Sequence, residues 1–172
     1  MSKLADAAEL MESAETPIPM KSRLSFLWTV LLLLATGLLS SCKAGEAKHP
    51  DDATIRTFLT GYFATWSAKD MAGYGATFHP QARIIFVDKG GEVLSEGLTD
   101  FLHGQKLGHE RSPVPMVEKP LTMQISGDAQ VAQAKVTWVL TKGSTETRGV
   151  DYFTLKREGE GWKIVTLVFY NE

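Results

Sequence analysis

Cys42, the one cysteine among 172 residues, closes an uncharged apolar segment, Leu24 to Leu39, that follows Lys21 and Arg23. A basic start, an apolar stretch and then small residues (Ser40, Ser41) is the three-part layout of an export signal, with the cut just before the thiol. A lone thiol has no disulfide partner, so a domain exported behind it must draw its stability from packing. The other residues able to do chemistry are scattered. His49, His103 and His109 lack metal-ligand spacing and no second cysteine joins them, so no metal site is expected. No nucleophile elbow marks a Ser/His/Asp enzyme. Lys89-Gly90-Gly91 reads as a hairpin turn rather than a phosphate loop, and no cofactor is expected.

Leu39-Ser40-Ser41-Cys42 resembles the lipobox of bacterial lipoproteins, whose cysteine is lipidated and becomes the new N-terminus. The resemblance implies lipidation of Cys42 with fatty acyl chains such as palmitate, and a place in the bacterial cell envelope. Lys43, where an aspartate would favour inner-membrane retention, implies the outer membrane facing the periplasm. Two other readings stay open. Sixteen uncharged residues fall short of the roughly 20 that span a bilayer, so an uncleaved anchor is one and a plain secretory signal is the other. Leu4 to Glu15 is acidic, against the usual charge bias of a signal start, whereas Met20-Lys21-Ser22-Arg23 would start one well. Residues 1–19 therefore read as lying ahead of the true start, or as a disordered extension. Residues 20–41 read as the signal, 42–49 as lipidated cysteine and polar tether, and 50–172 as one domain.

Behind the signal the charge is balanced. Residues 1–42 carry three basic and four acidic residues of the chain's 18 and 20, leaving 15 and 16 among 130. Nucleic acid, which calls for a basic stripe, is not an expected partner. Ile55, Phe58, Leu59, Tyr62, Phe63 and Trp66 recur at helical spacing behind Pro50-Asp51-Asp52, a good helix opening. Asp70 can cap a second helix through about Phe78, which His79-Pro80 would end. Ala82 to Val87 and Glu92 to Glu96 read as a hairpin, and Thr99 can cap a third helix from Asp100 to about Leu107. Strands are expected over about 116–126, 130–141, 145–157 and 162–170, separated by Gly-containing turns. Helices grouped ahead of an antiparallel meander give an α+β class.

Three stretches carry a resemblance over nearly the whole domain. They are Phe63 to Asp70 running on to Arg83, Ile125 to Ala132, and Asp151 to Leu155 followed by Gly161 to Val165. Together they resemble the nuclear transport factor 2-like superfamily, in its putative lumazine-binding or SnoaL-like branch. The fold this implies is a cystatin-like cone, three N-terminal helices packed on a curved antiparallel sheet, with a pocket between the first helix and the concave face. By alignment with the superfamily's ketosteroid isomerases, Tyr62 takes the place of the oxyanion tyrosine and Asp151 that of the protonated aspartate. The place of the base falls on Phe86, which cannot move a proton. Asp88, two residues on, is the one nearby carboxylate that could stand in for it. Tyr62 also reads as a core aromatic with a satisfied hydroxyl. Asp151 also reads as a buried carboxyl bonded to Tyr62 or to backbone.

The resemblance thus implies binding of a small apolar or aromatic ligand without catalysis, lined by Tyr62, Phe86, Asp151 and Phe153, and strand alternation adds Trp138 to the lining. Two alternatives stay open. One is an isomerase- or dehydratase-like enzyme with a relocated base, drawing on Tyr62, Asp88 and Asp151. The other is a protein-interaction module whose cavity Trp138, Phe153 and Phe169 fill. His79 is a weaker pocket candidate, and Trp66 and Trp162 read as core. A homodimer through the outer sheet face would use Gln133, Lys135 and Thr137, a polar set suited to a wet interface.

Overall fold

The computed structural model describes residues 48–172. Cys42, the signal segment and most of the tether lie outside the described residues. The first helix, α1, spans Asp52–Ser67 and buries Ile55, Leu59, Tyr62, Phe63 and Trp66, the apolar face that the helical spacing marks out. Asp52, in its first turn, accepts from Arg56 Nε at 2.8 Å and from Nη2 at 3.1 Å. Arg56 Nη1 also donates to the Met123 carbonyl at 3.0 Å. One guanidinium therefore ties the helix start to the sheet, and its hydrogen bonds hold the Asp52 carboxyl below the usual carboxylate range.

Lys69 has a positive φ of 62°, closing the turn before α2, Met71–Ala76. Asp70 caps α2 as expected, its Oδ1 accepting from the Gly73 amide at 2.8 Å. The helix stops earlier than the sequence suggests. Phe78 opens strand β1, Phe78–Val87, and His79-Pro80 lie inside that strand. A proline at the irregular start of a strand loses no ladder bond that the strand needs. Strand β2 is Val93–Gly97, and α3 follows at once over Leu98–Arg111. Its N-cap is Gly97 rather than Thr99, so Thr99 sits in the first turn, and the helix runs four residues beyond Leu107.

The meander comes last: β3 Met116–Gly127, β4 Val131–Lys142, β5 Thr145–Glu158 and β6 Gly161–Asn171. Strand order is β2-β1-β6-β5-β4-β3. Neighbours pair antiparallel except β1 and β6, which run parallel, so the sheet is mixed rather than purely antiparallel. The parallel pair brings the early hairpin beside the C-terminal strand. Register shifts in β1, at Pro120/Thr122 in β3 and at Thr154/Leu155 between β5 and β6 bend the sheet. Helix α1 packs along β3, and α3 packs over β1 and β2. The core between them holds Phe63, Phe153, Leu155, Ile164 and Leu167. Among the described residues no helix is long and apolar enough to cross a membrane.

Candidate functional site

Every element except β1 and β2 sends a side chain into one space of about 150 Å³. Helix α1 contributes Tyr62 and Trp66, one turn apart; α2 contributes Tyr74; α3 contributes Phe101 and Gln105, again one turn apart. From the sheet, β3 gives Glu118, β4 gives Trp138 and Leu140, β5 gives Asp151, and β6 gives Leu167, Phe169 and Asn171. The strand residues are spaced by two, so each set stands on one face. The lining is mainly aromatic, with two carboxyls and two amides.

Trp138 and Asp151 form the firmest polar contact of the site. The indole Nε1 donates to Asp151 Oδ1 at 2.6 Å, both residues being buried. Trp138 stands opposite Gly149 on β5, and Asp151 is two residues further along the same face. Glycine is required there. An added Cβ would overlap the Trp138 ring and stand 2.5 Å from the Tyr170 carbonyl oxygen. The missing side chain lets the indole lie over β5 and reach Asp151. The only side-chain hydrogen bond of Asp151 among the described residues is this one, so Oδ2 makes none. Burial pushes the carboxyl up to about 7, against the indole bond, which pulls it down.

Glu118 is the second carboxyl. Its backbone is fixed to the end of α1: Ser67 Oγ donates to the Glu118 carbonyl at 3.1 Å, and the Glu118 amide returns a bond to Ser67 Oγ at 2.9 Å. Its side chain faces the cavity with no hydrogen-bond partner among the described residues. Desolvation, then the nearby Asp151 charge, raises its pKa well above the ordinary carboxylate value.

The Tyr74 hydroxyl donates to the Tyr62 hydroxyl at 2.9 Å. Burial lifts both phenols well above the ordinary tyrosine value, so both are neutral donors near neutral pH. Tyr62 also sits edge-on to Phe63, Phe78 and Phe153, with centroids 5.0, 5.9 and 5.2 Å away. On the other wall, Trp66 Nε1 donates to Gln105 Oε1 at 2.8 Å and its ring lies 4.3 Å from the buried His109 ring. Burial holds His109 below the ordinary histidine value.

Of the residues singled out from sequence, Tyr62, Trp66, Trp138, Asp151 and Phe169 line this cavity, and Phe86, Asp88, Phe153 and His79 do not. Phe153 is fully buried behind Tyr62, in the core rather than in the cavity wall. Phe86 lines a separate, more open groove with Leu94, Ser95, Glu96 and Phe169, its ring 5.1 Å from Phe169. Asp88 does not line the cavity. Strand β1 ends at Val87, and Asp88 Oδ1 accepts from the Gly90 and Glu92 amides at 2.8 Å each, making it the side-chain lock of an exposed hairpin turn. His79 Nδ1 accepts from the Gln81 amide at 3.2 Å and does not line the cavity. Asp151 is bonded to Trp138 rather than to Tyr62 or backbone. Trp66 is both core and wall. Among the described residues no three His, Cys, Asp or Glu are grouped for a metal ion.

Glu118, Tyr74, Gln105 and Asn171 were not singled out from sequence. The missed signal is clearest for Glu118: Met116 is buried, and two residues on along the strand a carboxylate takes the same face.

Residues 50–170 match the family described as "Putative lumazine-binding". A comparison with curated proteins gave no match. Among solved structures, one described as a "putative dehydratase from the NTF2-like family", from Streptomyces avermitilis, superposes with a TM-score of 0.60 at 14% identity, over 71% of this chain and 96% of the other. A protein of unknown function from Mycobacterium tuberculosis superposes with 0.58 at 18% identity, over 70% of each chain. A cystatin-like protein of unknown function from Nostoc punctiforme gives 0.58 at 11%, over 71% and 91%. At these identities the likeness is one of fold, and it is the cone that the residue motifs resemble.

Proposed function

The chain belongs to the family described as "Putative lumazine-binding", and from that premise we propose that its cone cavity binds one small, ring-sized molecule. The observation that carries this reading is a pair of carboxyls, Glu118 and Asp151, with oxygens unspent on protein partners in a wall otherwise made of aromatic rings. An apolar space with a few convergent polar groups is the ordinary anatomy of a small-ligand site. The volume, about 150 Å³, is that of a cavity that takes a benzene-sized guest. A bicyclic ligand such as lumazine would project past the rim of the space. Titrating the protein with phenol and with lumazine while following tryptophan fluorescence tests this. Trp66 and Trp138 both line the space, so a bound ring changes their emission. A ligand held at about 100 times its Kd also stabilises the fold by about 2.7 kcal/mol. Unmoved fluorescence and unmoved unfolding with both compounds would contradict the reading.

The same two carboxyls favour a second reading, an acid–base enzyme of the dehydratase or isomerase kind. Two carboxyls of one cavity whose pKa values burial raises can be held protonated near neutral pH, as a general acid requires. Glu118, not Asp88, would be the base in that case, with Tyr62 as the hydrogen-bond donor. Turnover abolished by Glu118→Gln with ligand affinity kept would favour catalysis over binding alone.

We further propose that the domain is tethered through lipidated Cys42 to the bacterial outer membrane, facing the periplasm. The support is the apolar segment and the Leu39-Ser40-Ser41-Cys42 motif in the sequence. A homodimer would use the outer sheet face, where Lys135 lies 5.6 Å over the Tyr152 ring and Tyr152 stacks on Tyr170 at 6.5 Å.

A further inference from the structure

The cavity holds a charge asymmetry that the binding reading leaves unused. Its lining includes Glu118 and Asp151 but no lysine, arginine or histidine. Asp151 is only 4% exposed, its Oδ1 is taken by the Trp138 indole, and its Oδ2 is left for the space. The Glu118 carboxyl has no hydrogen-bond partner among the described residues, while Ser67 fixes its backbone from α1. The rest of the wall includes six aromatic rings, those of Tyr62, Trp66, Tyr74, Phe101, Trp138 and Phe169.

Each class of guest meets this wall differently. An anion would be repelled by any ionised carboxyl. A neutral hydrocarbon would fill the space but leave both carboxyls unanswered. A calcium ion would want six to eight oxygen ligands, and magnesium six, from a wall that is mostly carbon. An organic ammonium ion suits both parts of the lining. Its methyl groups lie against ring faces, whose quadrupoles attract the cation, and its charge answers the carboxyls. It is also weakly hydrated, so little is lost when water is stripped from it.

We propose that the cavity is a site for a small quaternary or alkylated ammonium ion, caged by the aromatic side chains of α1, α3, β4 and β6 and neutralised by Glu118 and Asp151. This rests on the binding reading above and names the chemical class of its ligand. Tetramethylammonium is comparable in bulk to the benzene-sized guest that a space of about 150 Å³ accepts.

The test titrates the full chain with tetramethylammonium chloride and, separately, with tert-butanol, a neutral molecule of similar shape. Sodium chloride at matched ionic strength is the blank, and tryptophan fluorescence and calorimetry are the readouts. The site predicts saturable tetramethylammonium binding at least tenfold tighter than tert-butanol. Glu118→Gln should remove most of that preference while the neutral molecule binds as before. Asp151→Asn, which keeps an acceptor for the indole, should do the same if Glu118→Gln does not fold. Equal affinity for the two probes, or a preference that survives both variants, would overturn the ammonium assignment. Binding of phenol or lumazine with none of tetramethylammonium would overturn it too and leave the cavity reading standing. Silence from all four compounds would bring down both.

Discussion

The Trp138 indole and the Asp151 carboxyl, on neighbouring strands β4 and β5, share a 2.6 Å hydrogen bond inside the cone. The bond fixes which oxygen of Asp151 is committed to the protein and which faces the cavity. It also partners a buried charge-capable group that burial alone would drive toward neutrality. Removing the donor exposes both effects. Trp138→Phe should destabilise the fold by about 1–3 kcal/mol beyond the loss of ring volume, because Asp151 is left buried without its partner. The carboxyl titration, followed by carbon NMR of Asp151, should move upward from about 7. An unchanged or lower pKa would mean that the bond does not hold the carboxylate.

Gly149 makes that bond sterically feasible. A Cβ at this position meets the Trp138 ring on one side and the Tyr170 carbonyl on the other, and the carbonyl belongs to the sheet ladder and cannot step aside. Gly149→Ala should therefore cost about 1–3 kcal/mol by overpacking and push the indole off Asp151. Denaturant unfolding and tryptophan emission measure the two effects. A wild-type midpoint with wild-type emission would show that the ring has room to move.

Stability should fall as pH rises through neutrality. The folded pKa of Asp151 is raised, from 3.8 to about 7, and Glu118 is raised too, so between these values the folded state holds protons that the unfolded chain has released. Such a contribution is fully present below about pH 4 and is lost as pH rises through about 7. For Asp151 it is on the order of 4 kcal/mol. Urea midpoints at pH 5.5 should exceed those at pH 8, and Asp151→Asn should flatten most of the difference. A midpoint that climbs with pH would contradict the burial of these groups as carboxylic acids.

Cys42→Ala should release the protein from the membrane fraction of an expressing bacterium and abolish its labelling by radioactive palmitate. If the protein stays in the membrane without label, the apolar segment ending at Leu39 is an uncleaved anchor and the lipid tether is wrong.

Much of the fold was legible because its periodicities are local. The α1 face, the Asp70 cap and the four long strands each follow from spacing within a dozen residues or so. The parallel β1–β6 pair is not local, since nothing in Ala82 to Val87 says which distant strand it will join. Within the site, Tyr62 and Asp151 were reached by resemblance, and Trp138 by strand alternation. The Trp138–Asp151 diagonal could have been counted from the turn: Lys142 pairs with Thr145, so four steps back Trp138 must face Gly149. Asp88 misled because alternation along β1 was carried one residue past the end of the strand. Glu118 was hidden for a different reason. The register shift at Pro120/Thr122 switches the inward parity midway along β3. The whole strand therefore shows no clean pattern, and a carboxylate at an inward position looks like one more polar surface residue.

Native mass spectrometry of the protein purified under mild conditions from the bacterium that expresses it should show a non-covalent adduct of one small organic molecule per chain, positively charged in its free form. That adduct should be lost when Glu118→Gln is purified in parallel. A wild-type protein that is empty, and stays empty after exposure to tetramethylammonium, phenol and lumazine, would contradict the account.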